Sequence, residues 1–121
     1  MKKMVALAFF AMASQLTFAE VAVSGAGASQ KCGDWVAARS EQSKSIQDSI
    51  TRGMIGSWVQ GYLSGINAAE VQSTKRWAFD IPSSAVLDGL LDKTCKDDPL
   101  KDIFSAAIQI SVVLRQRSPM P

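Results

Sequence analysis

Residues 55–69 read IGSWVQGYLSGINAA, and the spacing of apolar positions in that run decides the fold class. Ile55, Trp58, Tyr62, Ile66 and Ala69 recur at steps of three and four, so they share one helix face. Val59 and Leu63 widen the stripe. Gly53, Gly56, Gly61 and Gly65 sit in or beside it, although a glycine inside a helix costs about 1 kcal/mol relative to alanine. Gly61 and Gly65 are four apart, which predicts a smooth face that lets a neighbouring backbone approach closely. The run is too short and too polar for a membrane span, so the expected setting is a soluble helical core.

Three more helical segments flank this one. Upstream, Cys32-Gly33-Asp34-Trp35-Val36 places a capping carboxylate, Asp34, before an apolar pair and predicts a first helix through about Glu41. Gln42 to Ser49 is polar and reads as a loop or a solvated turn. Downstream, Val71 to Asp80 is a polar connection. Within it, Lys75-Arg76-Trp77 is a candidate partner surface; the favoured reading folds Trp77 over the core and leaves the two cations solvated. Ile81-Pro82-Ser83-Ser84 opens a third helix, because Pro82 disfavours helical angles at Ile81 and a serine can cap. Val86, Leu87, Leu90, Leu91 and Cys95 follow at helical spacing. Asp98-Pro99 predicts the start of a fourth helix, with Leu100, Ile103, Phe104, Ala107, Ser111 and Leu114 on one face. That helix is apolar almost all round and is expected to be central. No strand pattern competes. The expected fold is all-α, a small four-helix orthogonal bundle, with Trp35, Trp58, Gly61, Tyr62, Gly65, Leu91 and Pro99 as its structural positions.

The start of the chain reads as an address. Lys2 and Lys3 precede an uncharged apolar run from Met4 to Ala13, and small residues Thr17 and Ala19 precede an expected cut. Residues 1–19 are therefore expected to be a signal peptide, 20–30 a flexible leader, 31–117 a single helical domain and 118–121 a tail. The expected destination is the periplasm of a Gram-negative bacterium, with no stable membrane anchor after cleavage. The 121 residues carry 13 Lys+Arg and 11 Asp+Glu. Removing Lys2 and Lys3 leaves 11 of each sign, so the mature chain is formally neutral and nucleic acid is not an expected partner.

Export also sets the redox expectation. Cys32 and Cys95 are the only cysteines, and in an oxidising compartment they read as one bridge. Two free thiols or an intermolecular pair are the alternatives. A bridge would close a loop of 64 residues, worth about 4 kcal/mol on the chain-entropy picture.

The chemistry-bearing residues argue against an enzyme. There is no histidine, which removes Ser-His-Asp and Cys-His catalysis and histidine-ligated metals. Asp88 and Asp92, four apart, form a carboxylate pair on paper, but a solvated helix face is the simpler reading. Asp97, Asp98 and Asp102 lack the alternation and glycine turn of a calcium loop and read as helix-start charge. Ser24-Gly25-Ala26-Gly27 has no following lysine and is no phosphate loop. No cofactor or metal is expected.

Cys32-Gly33-Asp34-Trp35, the run from Trp58 to Gly65, the run from Leu91 to Pro99, and Ala106-Ala107 together resemble the HdeA/HdeB-like group of small exported proteins. The resemblance covers roughly Cys32 to Leu114, with Cys95-Lys96-Asp97-Asp98-Pro99 matching the junction before that group's last helix and a longer middle segment here. It implies an all-helical protein with one disulfide. It further implies a chaperone folded at neutral pH that loosens at about pH 2–3 and exposes apolar surface to unfolded clients. The Gly-Tyr-Leu-Ser-Gly run followed by Phe79-Asp80-Ile81-Pro82 is similar instead to the Rap/Tai immunity proteins of type VI secretion, which bind and neutralise a toxin. Their disulfide pattern is not clearly reproduced. The expected role is therefore protein binding, with the acid chaperone first, the immunity protein second and an accessory protein of the cell envelope third. A homodimer is compatible with any of these.

Overall fold

Ser45 fixes where the longest helix begins. Its hydroxyl accepts from the Asp48 amide at 3.0 Å, and Asp48 itself places negative charge in the first turn. In this computed structural model, which describes residues 22–40, 42 and 45–118, that helix runs Ile46–Thr74. The other elements are α1 (Ala26–Ser29), α2 (Cys32–Ala38), α4 (Ser84–Asp97) and α5 (Ile103–Arg117), the long helix being α3. The expected signal segment, Met1 to Ala19, lies outside the described residues, as do positions 119–121 of the expected tail. Among the described residues there is no strand, only an isolated bridge between Lys31 and Asp102.

α3 buries one line of side chains, Ile55, Val59 and Leu63, with Trp58, Tyr62 and Ile66 half-buried beside it. It is longer at both ends than its stripe suggested. Ile46 and the rest of its first turn take up most of the polar 42–49 stretch, and the helix continues past Val71 to Thr74. Lys75 ends it at φ 63°, its amide donating to the Val71 carbonyl. Gly61 and Gly65 are exposed, and a Cβ built at either meets nothing within 4 Å. This corrects the expectation of tight packing there. Each lies two residues beyond a core residue, Val59 or Leu63, which is about 200° round the helix. Ala69, expected on the buried face, is exposed.

α2 starts two residues before the expected cap. Asp34 sits inside it, and its carboxylate reaches back to accept from the Lys31 amide at 2.7 Å. The amides of Cys32 and Gly33 are satisfied from elsewhere, donating to the carbonyls of Lys101 and Pro99, both at 2.8 Å. That contact relocates the start of α5. Had the helix begun at Pro99, those carbonyls would point along its own axis. Instead residues 98–101 form a turn, with Asp98 Oδ1 accepting from the Leu100 amide at 3.1 Å, and Asp102 caps α5 by accepting from the Ser105 amide at 2.6 Å. Pro99 is thus exposed rather than core, and Leu100, expected on the apolar face, is 87% exposed.

The disulfide between Cys32 and Cys95 joins the first residue of α2 to the last turn of α4, with Cα atoms 4.7 Å apart. Leu87, Leu91 and Cys95 form the buried line of α4. α5 contributes six buried residues and packs against α1, α3 and α4, while Ile108 and Val112 on its far side remain exposed.

The expected leader is partly folded. Ala26 and Gly27, in the single turn of α1, are buried against α3 and α5. The Trp58 indole donates to the Ser24 carbonyl at 2.8 Å, and a Cβ on Gly27 would collide with that ring. Small residues are what let the segment lie flat on the tryptophan, so a composition that reads as flexible is here a packing requirement. Among the described residues there are four helices of more than one turn, as expected, with α1 as a fifth element.

Candidate functional site

The loop after α3 turns the expected packing inside out. Phe79 and Ala78 are the residues folded into the core, at 2% and 5% exposure, and Trp77 stands 65% exposed. The favoured reading of Trp77 as a lid on the core is therefore corrected. Arg115 of α5 lies over the Phe79 ring, 5.8 Å from its centre, and completes the burial that a tryptophan would otherwise supply.

The turn that carries Trp77 is bonded on both sides. The Asn67 side chain, two turns before the end of α3, accepts from the Ala78 and Phe79 amides at 3.0 and 3.3 Å and donates to the Phe79 carbonyl at 2.8 Å. On the other side, the Thr74 hydroxyl bonds the Arg76 carbonyl and accepts from its amide. The Asp80 amide reaches Ser118 at the end of α5. Backbone groups that would otherwise need water are satisfied by fixed partners, so the indole is presented from an ordered knuckle.

This pole of the molecule holds more cations than acids. Lys75 and Arg76 lie in the turn, and Arg115 and Arg117 in the last turn of α5, where cations suit the helix dipole. Arg115 pairs with Glu70 at 3.4 Å. Among the described residues, no carboxylate lies within ion-pair distance of Lys75, Arg76 or Arg117.

A second constellation braces α2 against α4. Asp92 accepts from the Trp35 indole at 2.8 Å and from Arg39 at 3.0 and 2.7 Å. Arg39 also lies 3.8 Å from Asp88 and stacks over the Trp35 ring. The hydrogen bonds from Arg39 hold the Asp92 carboxyl below the usual carboxylate range, against the opposing effect of burial, and the Trp35 bond adds to them. Asp92 in turn raises the Arg39 guanidinium further. Asp88 and Asp92 are thus bracing groups on a half-buried face, not a solvated one. The pairing had a signal: Trp35 and Arg39 are four apart on one helix, as Asp88 and Asp92 are on another.

Between α2, α3 and α4 lies a polar cleft of about 340 Å³, lined by Arg39, Arg52, Gln60, Ser84 and Asp88 over the small residues Gly53 and Gly56. Its guanidinium groups are already engaged, Arg39 with Asp92 and Arg52 with the Ala38 carbonyl and Ser49. The cleft therefore works as a seam between helices. On the opposite side of α3, Trp58 stacks on Tyr62 at 5.6 Å, and Phe104 meets both edge-on. These rings hold α1 and α5 to α3. Of the other expected structural positions, Trp35 and Leu91 are buried, and Trp58 and Tyr62 are half-buried.

Among the described residues, no group of three or more His, Cys, Asp or Glu side chains converges as a metal site, and no helix is long and apolar enough to cross a membrane. No known protein family, curated protein or solved structure matches this chain.

Proposed function

We propose that this chain is an exported, non-enzymatic protein-binding domain that meets its partner as a folded surface. The observation that supports this reading is Trp77, largely exposed on a knuckle whose backbone is held by Asn67 and Thr74. Tryptophan and arginine are both enriched among interface anchors, and presenting the ring already ordered lowers the entropic cost of association. Of the two roles that the sequence resemblances imply, an immunity protein uses such a fixed surface.

The acid-chaperone reading draws on a different observation, the brace at Asp92. One carboxylate holds Trp35 and Arg39 of α2 against α4. Protonating it removes the charge that pairs with Arg39 and turns one accepting oxygen into a donor, while the disulfide still tethers the two helices. Loosened helices on a covalent tether would offer apolar surface to clients.

One experiment separates the two. The oxidised mature protein, residues 20–121, is mixed with an acid-labile test protein at about pH 2–3 and at pH 7, while its own near-ultraviolet circular dichroism is recorded. The folded-surface reading expects a native spectrum at pH 7 and no protection from aggregation at either pH. Protection confined to acid, together with loss of the tertiary signal, would replace it with the chaperone reading.

A further inference from the structure

We infer that the Trp77 pole docks an acidic surface of a folded protein, with the indole seated in an apolar slot and Lys75, Arg76 and Arg117 facing carboxylates around it. This rests on the protein-binding reading above and names the partner's chemistry.

Charge carries the argument. The pole holds four cations, Lys75, Arg76, Arg115 and Arg117, against two acids, Glu70 and Asp80. One of the four, Arg115, is spent on Glu70 and on covering Phe79. The mature chain carries 11 charges of each sign, so the rest of it holds seven cations against nine acids and the excess at the pole is local, not a property of composition. Cations without an ion-pair partner, at the same pole as an exposed aromatic, create a potential that attracts an acidic partner and repels a basic one. Lys75 sits at φ 63°, where the helix has just ended, and the chain leaves the α3 axis there, with Arg76 and Trp77 following; the Lys75 ammonium donates to the Gln72 carbonyl at 3.2 Å.

The shape favours protein over lipid. An anionic bilayer would also attract these cations, but stable adsorption needs a broad apolar face as well. Here the apolar part is one indole, with Ile81 only 37% exposed nearby. A single exposed indole that directly follows two cations in the chain suits a pocket with an acidic rim.

The test uses the full chain carrying a photo-crosslinking phenylalanine, Trp77→benzoylphenylalanine, in exporting cells. The same residue at exposed Gly65 serves as control. A protein crosslinked from position 77 only is purified and titrated with the unmodified mature chain. The inference expects Trp77→Ala, and separately the double change Lys75→Glu with Arg76→Glu, to weaken binding by about 30-fold. It also expects affinity to fall steeply with added salt. A crosslinked partner whose affinity ignores salt and the charge reversal would overturn the acidic-surface inference and leave the protein-binding reading standing. No crosslinked protein, in cells where the variant is exported and folded, would overturn both. Vesicles of phosphatidylglycerol and of phosphatidylcholine are titrated in parallel. Binding to the former that needs Trp77 and the two cations, without any crosslinked protein, would assign the pole to a membrane surface instead.

Discussion

Asp92 on α4 and Arg39 at the end of α2 meet through two hydrogen bonds, 2.7 and 3.0 Å long, 53 residues apart in the chain. The pair is only partly shielded, each side chain being about a third exposed, so its worth is set as much by geometry as by burial. The same carboxylate satisfies the indole of Trp35, which is otherwise enclosed.

The first prediction concerns acid. The Asp92 carboxyl titrates lower in the folded chain than in the unfolded one, and so does Asp102, chiefly because the Ser105 amide donates to it. A depressed folded value means the stabilisation is present above the unfolded value, about 3.9, and is lost as pH falls through the folded one. Asp92→Asn is therefore expected to cost about 1 kcal/mol at pH 7, discounted for exposure, and less at about pH 2, as the native carboxylate takes up its proton. Urea unfolding of both proteins at the two pH values measures the difference. An equal cost at both would mean that the carboxylate's charge plays no part.

The glycines of α3 supply the second prediction. Gly61→Ala and Gly65→Ala add a Cβ in open space on a continuous helix. Each is expected to stabilise by about 0.8–1 kcal/mol, or roughly 4–8 °C in Tm for a domain of this size. Gly27→Ala is expected to do the reverse, because its Cβ would strike Trp58. Thermal melts of the three variants decide it.

That contrast shows what the sequence disclosed. The helical period around Trp58 and Tyr62 and the Pro82 boundary were legible because each depends on near neighbours in the chain, and the cysteine pair because the chain has only two cysteines. The role of Gly27 was not, since it depends on a tryptophan 31 residues away. The start of α5 was misplaced for the same reason. Asp98-Pro99 has good local chemistry for a helix start, but the carbonyls of Pro99 and Lys101 serve the amides of α2. Trp77 was misplaced because the loop's own sequence does not rank it against Phe79 for burial. The ranking was decided by Asn67 and Arg115, from a helix before and a helix after.

The third prediction tests that relocated start. Asp102→Ala removes the acceptor for the Ser105 amide and is expected to cost about 1 kcal/mol. Pro99→Ala is expected to change stability by less than about 0.5 kcal/mol, since the residue is exposed and lies outside the helix. Equilibrium unfolding in urea reads both. A larger loss at Pro99 than at Asp102 would return the helix start to Pro99.

The fourth follows from the disulfide. Cys32 and Cys95 close most of the domain into one loop, and reduction is expected to cost about 4 kcal/mol, a large share of the roughly 5–15 kcal/mol that a domain of this kind retains. Denaturant midpoints with and without a reductant measure it. A midpoint that does not move would mean that the bonds from Cys32 and Gly33 to the 98–101 turn hold α2 in place without the bridge.

The last prediction separates folding from binding at the Trp77 pole. Trp77→Ala removes a side chain that stands in solvent, so stability should stay within about 0.5 kcal/mol of the native chain. Phe79→Ala empties a buried site capped by Arg115 and should cost about 3–5 kcal/mol. Asn67→Ala leaves the Ala78 and Phe79 amides without their acceptor and should cost about 1–3 kcal/mol. Urea midpoints give all three. If Trp77→Ala proves as costly as Phe79→Ala, the indole is part of the core and the knuckle is not an interface. If it is silent, any binding lost with it is lost at the surface, while Asn67→Ala, by loosening the knuckle and keeping the indole, reports how much of that binding depends on presenting the ring in order.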